Sequence, residues 1–202
     1  MPRKIIPEKV EEAKAKIISA ALDVIINEGF VKFSLSKVAN KAGITKAAIY
    51  WYFPSKEELL NEITNSLRTT FISCAKQVAE LPISSEQKIK ALITSLEDND
   101  THKGCFLPIK IFIELYSVDH EIKKTIKNSY TEYIEILHGI FEQAIMNGEI
   151  DSSFSALTLA KYMMAFLDGC IIQDEMSGSP HIDYKDVYIF FMSLFSKSGG
   201  NK

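Results

Sequence analysis

Ser34-Leu35-Ser36-Lys37-Val38-Ala39-Asn40-Lys41-Ala42-Gly43-Ile44-Thr45-Lys46-Ala47-Ala48-Ile49-Tyr50-Trp51-Tyr52-Phe53 decides the fold. It reads as two short helices joined by a tight glycine turn. Ser34 suits the N-cap of the first, because its hydroxyl oxygen can accept a backbone N–H that the helix leaves unpaired, and Thr45 suits the N-cap of the second. Gly43 stands where the turn needs a residue free of a Cβ clash. Leu35, Val38 and Ala39 form an inward face, small Ala39 and Ala42 allow close crossing, and Ile44 and Ile49 pack from the turn and the second helix. This is a helix-turn-helix pattern, which sets one helix into a DNA major groove.

The pattern has flanks that fit it. Upstream, about Pro7 to Glu28 reads as one amphipathic helix with Ile17, Ala20, Ala21, Val24 and Ile25 on one face, closed by Gly29. Downstream, Phe53-Pro54 ends the reading helix, since the residue before proline is pushed out of helical geometry. Ser55-Lys56-Glu57-Glu58 then has capping-box spacing. A rod from 55 to 80 follows, about 39 Å long at 1.5 Å per residue, with Leu60, Ile63, Leu67, Phe71, Cys74 and Val78 recurring at helical spacing.

Charge divides at the same place. The 202-residue chain carries a formal −3, but residues 1–53 hold nine Lys and Arg against five Asp and Glu, a net +4, and residues 54–202 a net −7. A basic head on an acidic body fits a nucleic-acid binder. The exposed side of the reading helix is Thr45, Lys46, Ala47, Ala48, Tyr50, Trp51 and Tyr52. Lysine and tyrosine groups there can reach phosphates, Lys46 can instead reach guanine edges, and the Ala47 and Ala48 methyls can meet thymine methyls. Pro2-Arg3-Lys4 can form a minor-groove arm or a frayed end.

These residues resemble the TetR/AcrR family of repressors. The resemblance rests on Ala20-Ala21, Gly29-Phe30, Ser34, Val38-Ala39, Ala42-Gly43-Ile44-Thr45-Lys46, Ile49-Tyr50, Tyr52-Phe53 and Ser55-Lys56-Glu57-Glu58-Leu59, within roughly residues 14 to 60. It implies a homodimer that binds a palindromic double-stranded DNA operator and is released by a small hydrophobic effector. By position it implies phosphate contacts from Ser34, Lys37, Thr45, Tyr50, Tyr52 and Lys56, and base-facing roles for Lys46, Ala47, Ala48 and Trp51. Lys56 has its own warrant at a helix start, where backbone N–H groups and the helix dipole favour an anion. Ala47, Ala48 and Tyr52 depart from residues common in the family, so the operator sequence stays open.

The rest of the chain continues in helical periodicity, with no repeat and no low-complexity linker. Pro82 breaks the rod. A fifth helix carries Ile89, Leu92, Ile93 and Leu96, and Glu97 to Gly104 reads as a polar loop. A short sixth helix starting at Pro108 carries Ile109, Phe112, Ile113 and Tyr116. Asp119 caps a seventh with Ile122, Ile126, Tyr130, Tyr133, Leu137, Ile140, Phe141 and Ala144, closed by Asn147-Gly148. The eighth spans about Ser155 to Glu175. The ninth is capped by Asp183 and ends near Ser196. The expected fold is all-α, about nine helices: a helix-turn-helix DNA-binding domain at 1–54 and a helical ligand-binding and dimerisation domain at 55–202.

The eighth helix is apolar nearly all round, so both its faces should be covered. With the ninth it is expected to pair with its copies in a two-fold four-helix interface built on Leu167, Ile171, Tyr188, Phe191 and Phe195. Phe71, Phe106, Phe112, Tyr116, Tyr130, Tyr133, Phe141, Tyr162, Met163 and Phe166 are candidates for an apolar chamber, or ordinary core. Asp168 and Glu114, each in an apolar helix, can meet a cationic ligand or a structural hydrogen bond. Cys74, Cys105 and Cys170 are widely spaced, lack zinc-ligand spacing, and read as reduced thiols. Together with the scattered His102, His120, His138 and His181 they suggest no metal, cofactor or catalytic set. No apolar run approaches the roughly 20 residues of a membrane span, and the expected setting is cytoplasmic. A same-fold architectural or division-linked protein without small-molecule gating is the competing reading.

Overall fold

The computed structural model describes residues 7–96, 109–178 and 182–193. Among these it contains nine α-helices, one 3-10 turn and no strand: α1 (Pro7–Glu28), η1 (Phe30–Lys32), α2 (Leu35–Ala42), α3 (Lys46–Tyr52), α4 (Lys56–Glu80), α5 (Ser85–Thr94), α6 (Ile109–Leu115), α7 (His120–Met146), α8 (Ala156–Ser177) and α9 (Tyr184–Ser193). The all-α expectation holds. The expected Pro2-Arg3-Lys4 arm, the 97–104 loop, Pro108 and the last turn of the ninth helix lie outside the described residues.

Contacts divide the described residues into two compact units. One draws on Met1–Leu67 and Lys110–Ile126, the other on Arg68–Ile109 and Lys127–Lys202. In the first unit α1 packs against α2, α3 and η1, and α2 against α3. Its core is Ile17, Ala20, Ala21, Val24 and Ile25 on α1 with Leu35, Val38, Ala39, Ala42 and Ile49, all buried. Gly29 (φ 81°) and Gly43 (φ 70°) occupy the positive-φ region that L side chains avoid. Gly43 closes α2 there, and its N–H donates to the carbonyls of Ala39 and Asn40.

Helix starts follow their caps. The hydroxyl oxygen of Ser34 accepts from Lys37 N and that of Thr45 from Ala48 N. Ser55 accepts from Glu58 N at 3.0 Å, and Asp119 accepts from the N–H groups of Glu121 and Ile122. Ser84 and Gln87 make a complete capping box at α5, with both halves present. It follows the same Ser-x-x-Glu/Gln rule that marks α4.

The inward face of α6 differs from expectation. Ile111, Phe112 and Leu115 are buried, whereas Ile113 is 56% exposed and Tyr116 lies on the surface under the Lys123 ammonium, 4.9 Å from its ring centroid. A seven-residue helix offers too few turns for periodicity to choose between adjacent apolar stripes.

In the second unit α5 packs on α9. On α7, Glu132 receives Lys76 at 2.7 Å and also Arg68, both from α4. The hydrogen bond from Lys76, with Arg68 adding to it against the effect of burial, holds the Glu132 carboxyl below its usual range. Phe141 on α7 lies 6.1 Å from Phe191 on α9, which also stacks on Phe166 of α8. Cys74, expected as a reduced thiol, is disulfide-bonded, and Cys170 is free and buried. Sequence spacing says nothing about which cysteines approach in space. Cys105 lies outside the described residues.

Helix α8 is long and apolar enough, by length and composition, to cross a membrane, contrary to the expectation of no such run. It nonetheless carries Lys161, Asp168 and Asp174, and Ala156, Leu159, Ala160, Met163, Leu167 and Cys170 form a buried stripe along it. That leaves α8 with one side in the core of its unit and the other side exposed.

Gly139 lies inside α7, and a Cβ added there would meet nothing within 4 Å. Gly139→Ala is expected to raise stability by about 0.5–1 kcal/mol, through the helix propensity of alanine and a less flexible unfolded chain. The measurement is the midpoint of denaturant unfolding, and an unchanged or lowered midpoint would contradict it.

Candidate nucleic-acid interface

The surface of α3 is set by one anchor. Ile49 is fully buried, and with α3 only seven residues long, that single inward side chain orients the remainder. Thr45, Lys46 and Ala47 are exposed, Ala48 and Tyr52 half-buried. Tyr50 is 44% and Trp51 59% exposed. Helical spacing puts Lys46 and Tyr50 one turn apart on the same side, and the Lys46 ammonium lies 6.0 Å from the Tyr50 ring centroid. Trp51 meets Tyr52 edge-on, centroids 4.7 Å apart. An outward row of two short side chains, one ammonium and aromatic hydroxyls fits a groove floor flanked by phosphates.

The flanking cations are positioned by side chains that were not read from sequence as part of the DNA surface. The Lys56 ammonium sits 5.4 Å from the Phe30 ring centroid and 5.2 Å from that of Phe33. The two rings are stacked on each other, 5.9 Å apart. Cation–π attraction fixes Lys56 without consuming its charge. The only trace of this in the sequence is the placing of two phenylalanines around the Gly29 turn.

Lys37 is held differently. Its ammonium donates to Glu28 at the end of α1, and Lys41 pairs with Asp23 at 3.3 Å. Hydrogen bonding from Lys37 holds the Glu28 carboxyl below its usual range. A phosphate approaching Lys37 therefore competes with Glu28. Glu28→Gln is expected to tighten binding to a generic duplex by roughly three- to tenfold at low salt. Anisotropy titrations across a salt series measure this, and identical curves for the two proteins would count against Lys37 as a phosphate contact.

All ten residues expected at the DNA surface, Ser34, Lys37, Thr45, Lys46, Ala47, Ala48, Tyr50, Trp51, Tyr52 and Lys56, fall in the first unit. Ser34 and Thr45 spend a lone pair on their helix caps.

The expected chamber and interface residues fare less evenly. Phe106 and Phe195 lie outside the described residues. Phe71, Phe112, Tyr133, Phe141 and Met163 are buried, Tyr130 and Phe166 half-buried. Tyr162 is 59% exposed, edge-on to Phe154, so as it stands it belongs to the outer surface with Tyr116. Leu167 and Phe191 are buried inside their own unit. Ile171 is half-buried. Tyr188 is tied to α5, its hydroxyl donating to Glu86 and its ring lying under Lys90. The outward apolar stripe of α8 is instead Tyr162, Ala165, Gly169, Ile172 and Met176; on α9 Ile189 and Phe190 are exposed, Phe190 stacked on Phe166 of α8. An almost uniformly apolar helix does not reveal from sequence which side turns inward.

Comparison with known proteins fits this geometry. Residues 17–63 match the family model described as "Bacterial regulatory proteins, tetR family". The fatty acid metabolism regulator protein of Bacillus subtilis (strain 168) is 29% identical over 152 residues, covering 74% of this chain and 76% of that protein. Among solved structures, a TetR/AcrR-family transcriptional regulator superposes with a TM-score of 0.79 at 15% identity, covering 92% of this chain and 98% of the other. The transcriptional regulator FadR of Bacillus subtilis, in complex with stearoyl-CoA, gives 0.72 at 24% identity, covering 92% and 99%.

Proposed function

Because this chain belongs to the TetR family of bacterial regulatory proteins, transcriptional regulators rather than enzymes, we propose that it is a cytoplasmic repressor. Two copies bind a palindromic operator, and a small hydrophobic effector releases them. The observation that carries this reading is the outward face of α3, Lys46 to Trp51, held by the buried Ile49 and by the Thr45 cap.

In this reading α3 enters the major groove. Lys46, Ala47, Ala48 and Trp51 meet base edges, while Tyr50, Tyr52, Lys37 and Lys56 meet phosphates. Two heads must then sit about 34 Å apart to reach successive major-groove faces. The outer stripe of α8 supports pairing of two copies. Ala165 and Gly169 are small, and a Cβ on Gly169 would meet nothing within 4 Å of its own chain, which leaves room for a second helix to approach closely. Pairing also covers Tyr162, Ile172, Met176, Ile189 and Phe190, which a lone chain leaves in water.

The effector acts by population shift. It binds better to a dimer whose heads are wrongly spaced, and a coupling of about 1–3 kcal/mol is typical. Helices α4 and α7 each run from the first unit into the second and are covalent routes between them. Stearoyl-CoA, bound by the structurally similar FadR, carries a long acyl chain, which supports an effector with an apolar part.

Selection of bound duplexes from a random library tests the reading. A two-fold symmetric consensus is expected, released from the protein by an apolar small molecule without unfolding. Enrichment of no sequence over a scrambled duplex would sink it.

A further inference from the structure

Five polar or charged side chains are buried among the described residues. The Thr64 hydroxyl donates to the Leu60 carbonyl, and the Lys88 ammonium donates to the Ala79 carbonyl at the end of α4. Ser85 bonds Glu149, and Ser129 is also engaged. Asp168 is only half satisfied. It lies on α8 at 8% exposure, and its Oδ2 accepts the Tyr130 hydroxyl of α7 at 2.5 Å. Its Oδ1 is shielded from solvent and has no hydrogen-bond partner, the one such side-chain atom among the described residues.

An unpaired carboxylate oxygen inside a helical unit is costly, because it loses its water and gains nothing in exchange. An apolar side chain of similar size would fill the place more cheaply. Burial pushes the Asp168 carboxyl up, and the Tyr130 hydrogen bond pulls it back towards the charged form. Tyr130 also fixes which oxygen is occupied, leaving the other one oriented and without a donor. A carboxylate with one oxygen fixed and one vacant is suited to receive an N–H donor that carries positive charge.

We propose that Oδ1 of Asp168 anchors the ammonium group of an amphipathic organic amine received between α7 and α8. The apolar part of the amine lies along the side of α8 that carries Met164, one turn before Asp168 on the same stripe. Met164 is unbranched with three rotatable bonds, so it can give way to a guest. Burial, with the nearby Asp168 charge adding to it, pushes up the phenol of fully buried Tyr133, so an aromatic ring stands near the arriving cation. Tyr130 is a positioning residue. The inference rests on the effector reading above and names the chemistry of that effector.

Calorimetric titration of the full chain with hexylammonium, hexanol and hexanoate at matched ionic strength tests it, on the wild type, Asp168→Asn and Tyr130→Phe. Hexylammonium should bind the wild type at least about tenfold more tightly than hexanol, the range of a charge-assisted hydrogen bond. Asp168→Asn should erase that preference while melting no lower than the wild type. Tyr130→Phe should retain a preference for the ammonium. Equal affinity for hexylammonium and hexanol, a preference that survives in Asp168→Asn, or no binding of hexylammonium at millimolar concentration would overturn the proposal. Release of duplex is read separately by anisotropy. Amine binding that depends on Asp168 without release would leave this site standing and remove the gated-repressor reading. Release by hexanoate without amine binding would do the reverse.

Discussion

Gly169→Glu combined with Ile172→Asp is expected to yield a folded, fully helical chain that stays monomeric and binds its operator about a hundredfold more weakly, or worse. Both positions lie on the outer stripe of α8. A glutamate at Gly169 meets no atom of its own chain near the Cβ, and Ile172 is already 38% exposed, so both new side chains can reach water in the isolated chain, at a cost of about 0.2–0.5 kcal/mol per like-charge pair. In a pair, two copies of the stripe would bring four carboxylates together in an apolar seam, which is strongly unfavourable. The affinity loss follows from valency: when two heads are joined, the second contact becomes intramolecular, and that advantage spans about 10²–10⁴. Sedimentation and anisotropy on the same samples measure both effects. A double variant that still sediments as a dimer would place the interface elsewhere.

Phe141→Ala is expected to cost about 3–5 kcal/mol of stability. Phe141 is fully buried on α7 and packs against Phe191 of α9, so its removal leaves a cavity among side chains that cannot all collapse into it. Denaturant unfolding followed by circular dichroism gives the value. From sequence, Phe141 was a candidate for core and, less strongly, for chamber lining. A loss under about 1 kcal/mol with weakened effector binding would favour that role, and the full loss would make it core.

The head was legible because its constraints are local. Ser34, Gly43, Thr45 and Pro54 each act within a turn of their own position, and α1 runs from Pro7 to Glu28 as its apolar spacing predicts. Ile49 could be assigned inward because α3 has one aliphatic residue beyond its alanines. The body resisted wherever the answer depended on distant partners. In α8, Leu167 and Ile172 are equally apolar, yet only the packing of the unit turns Leu167 in and Ile172 out. Tyr162 looked like chamber lining until the helix rotation was known. The Phe30–Phe33 platform under Lys56 joins residues more than twenty positions apart, and the Glu28–Lys37 pair crosses from α1 to α2. Asp168 showed both sides of the problem. Its oddity in an apolar helix was visible in the sequence, but that Tyr130 takes one oxygen and leaves the other bare was not.

Trp51 allows the most direct test of α3 as the reading helix. It is the chain's one tryptophan, it is 59% exposed, and its emission reports from α3 alone. With the selected duplex at saturation, acrylamide quenching of Trp51 should fall severalfold as the indole is shielded within the groove, and it should recover when salt releases the duplex. Quenching that stays the same in the free and the duplex-bound protein would contradict the account, because DNA would then be held by some other surface.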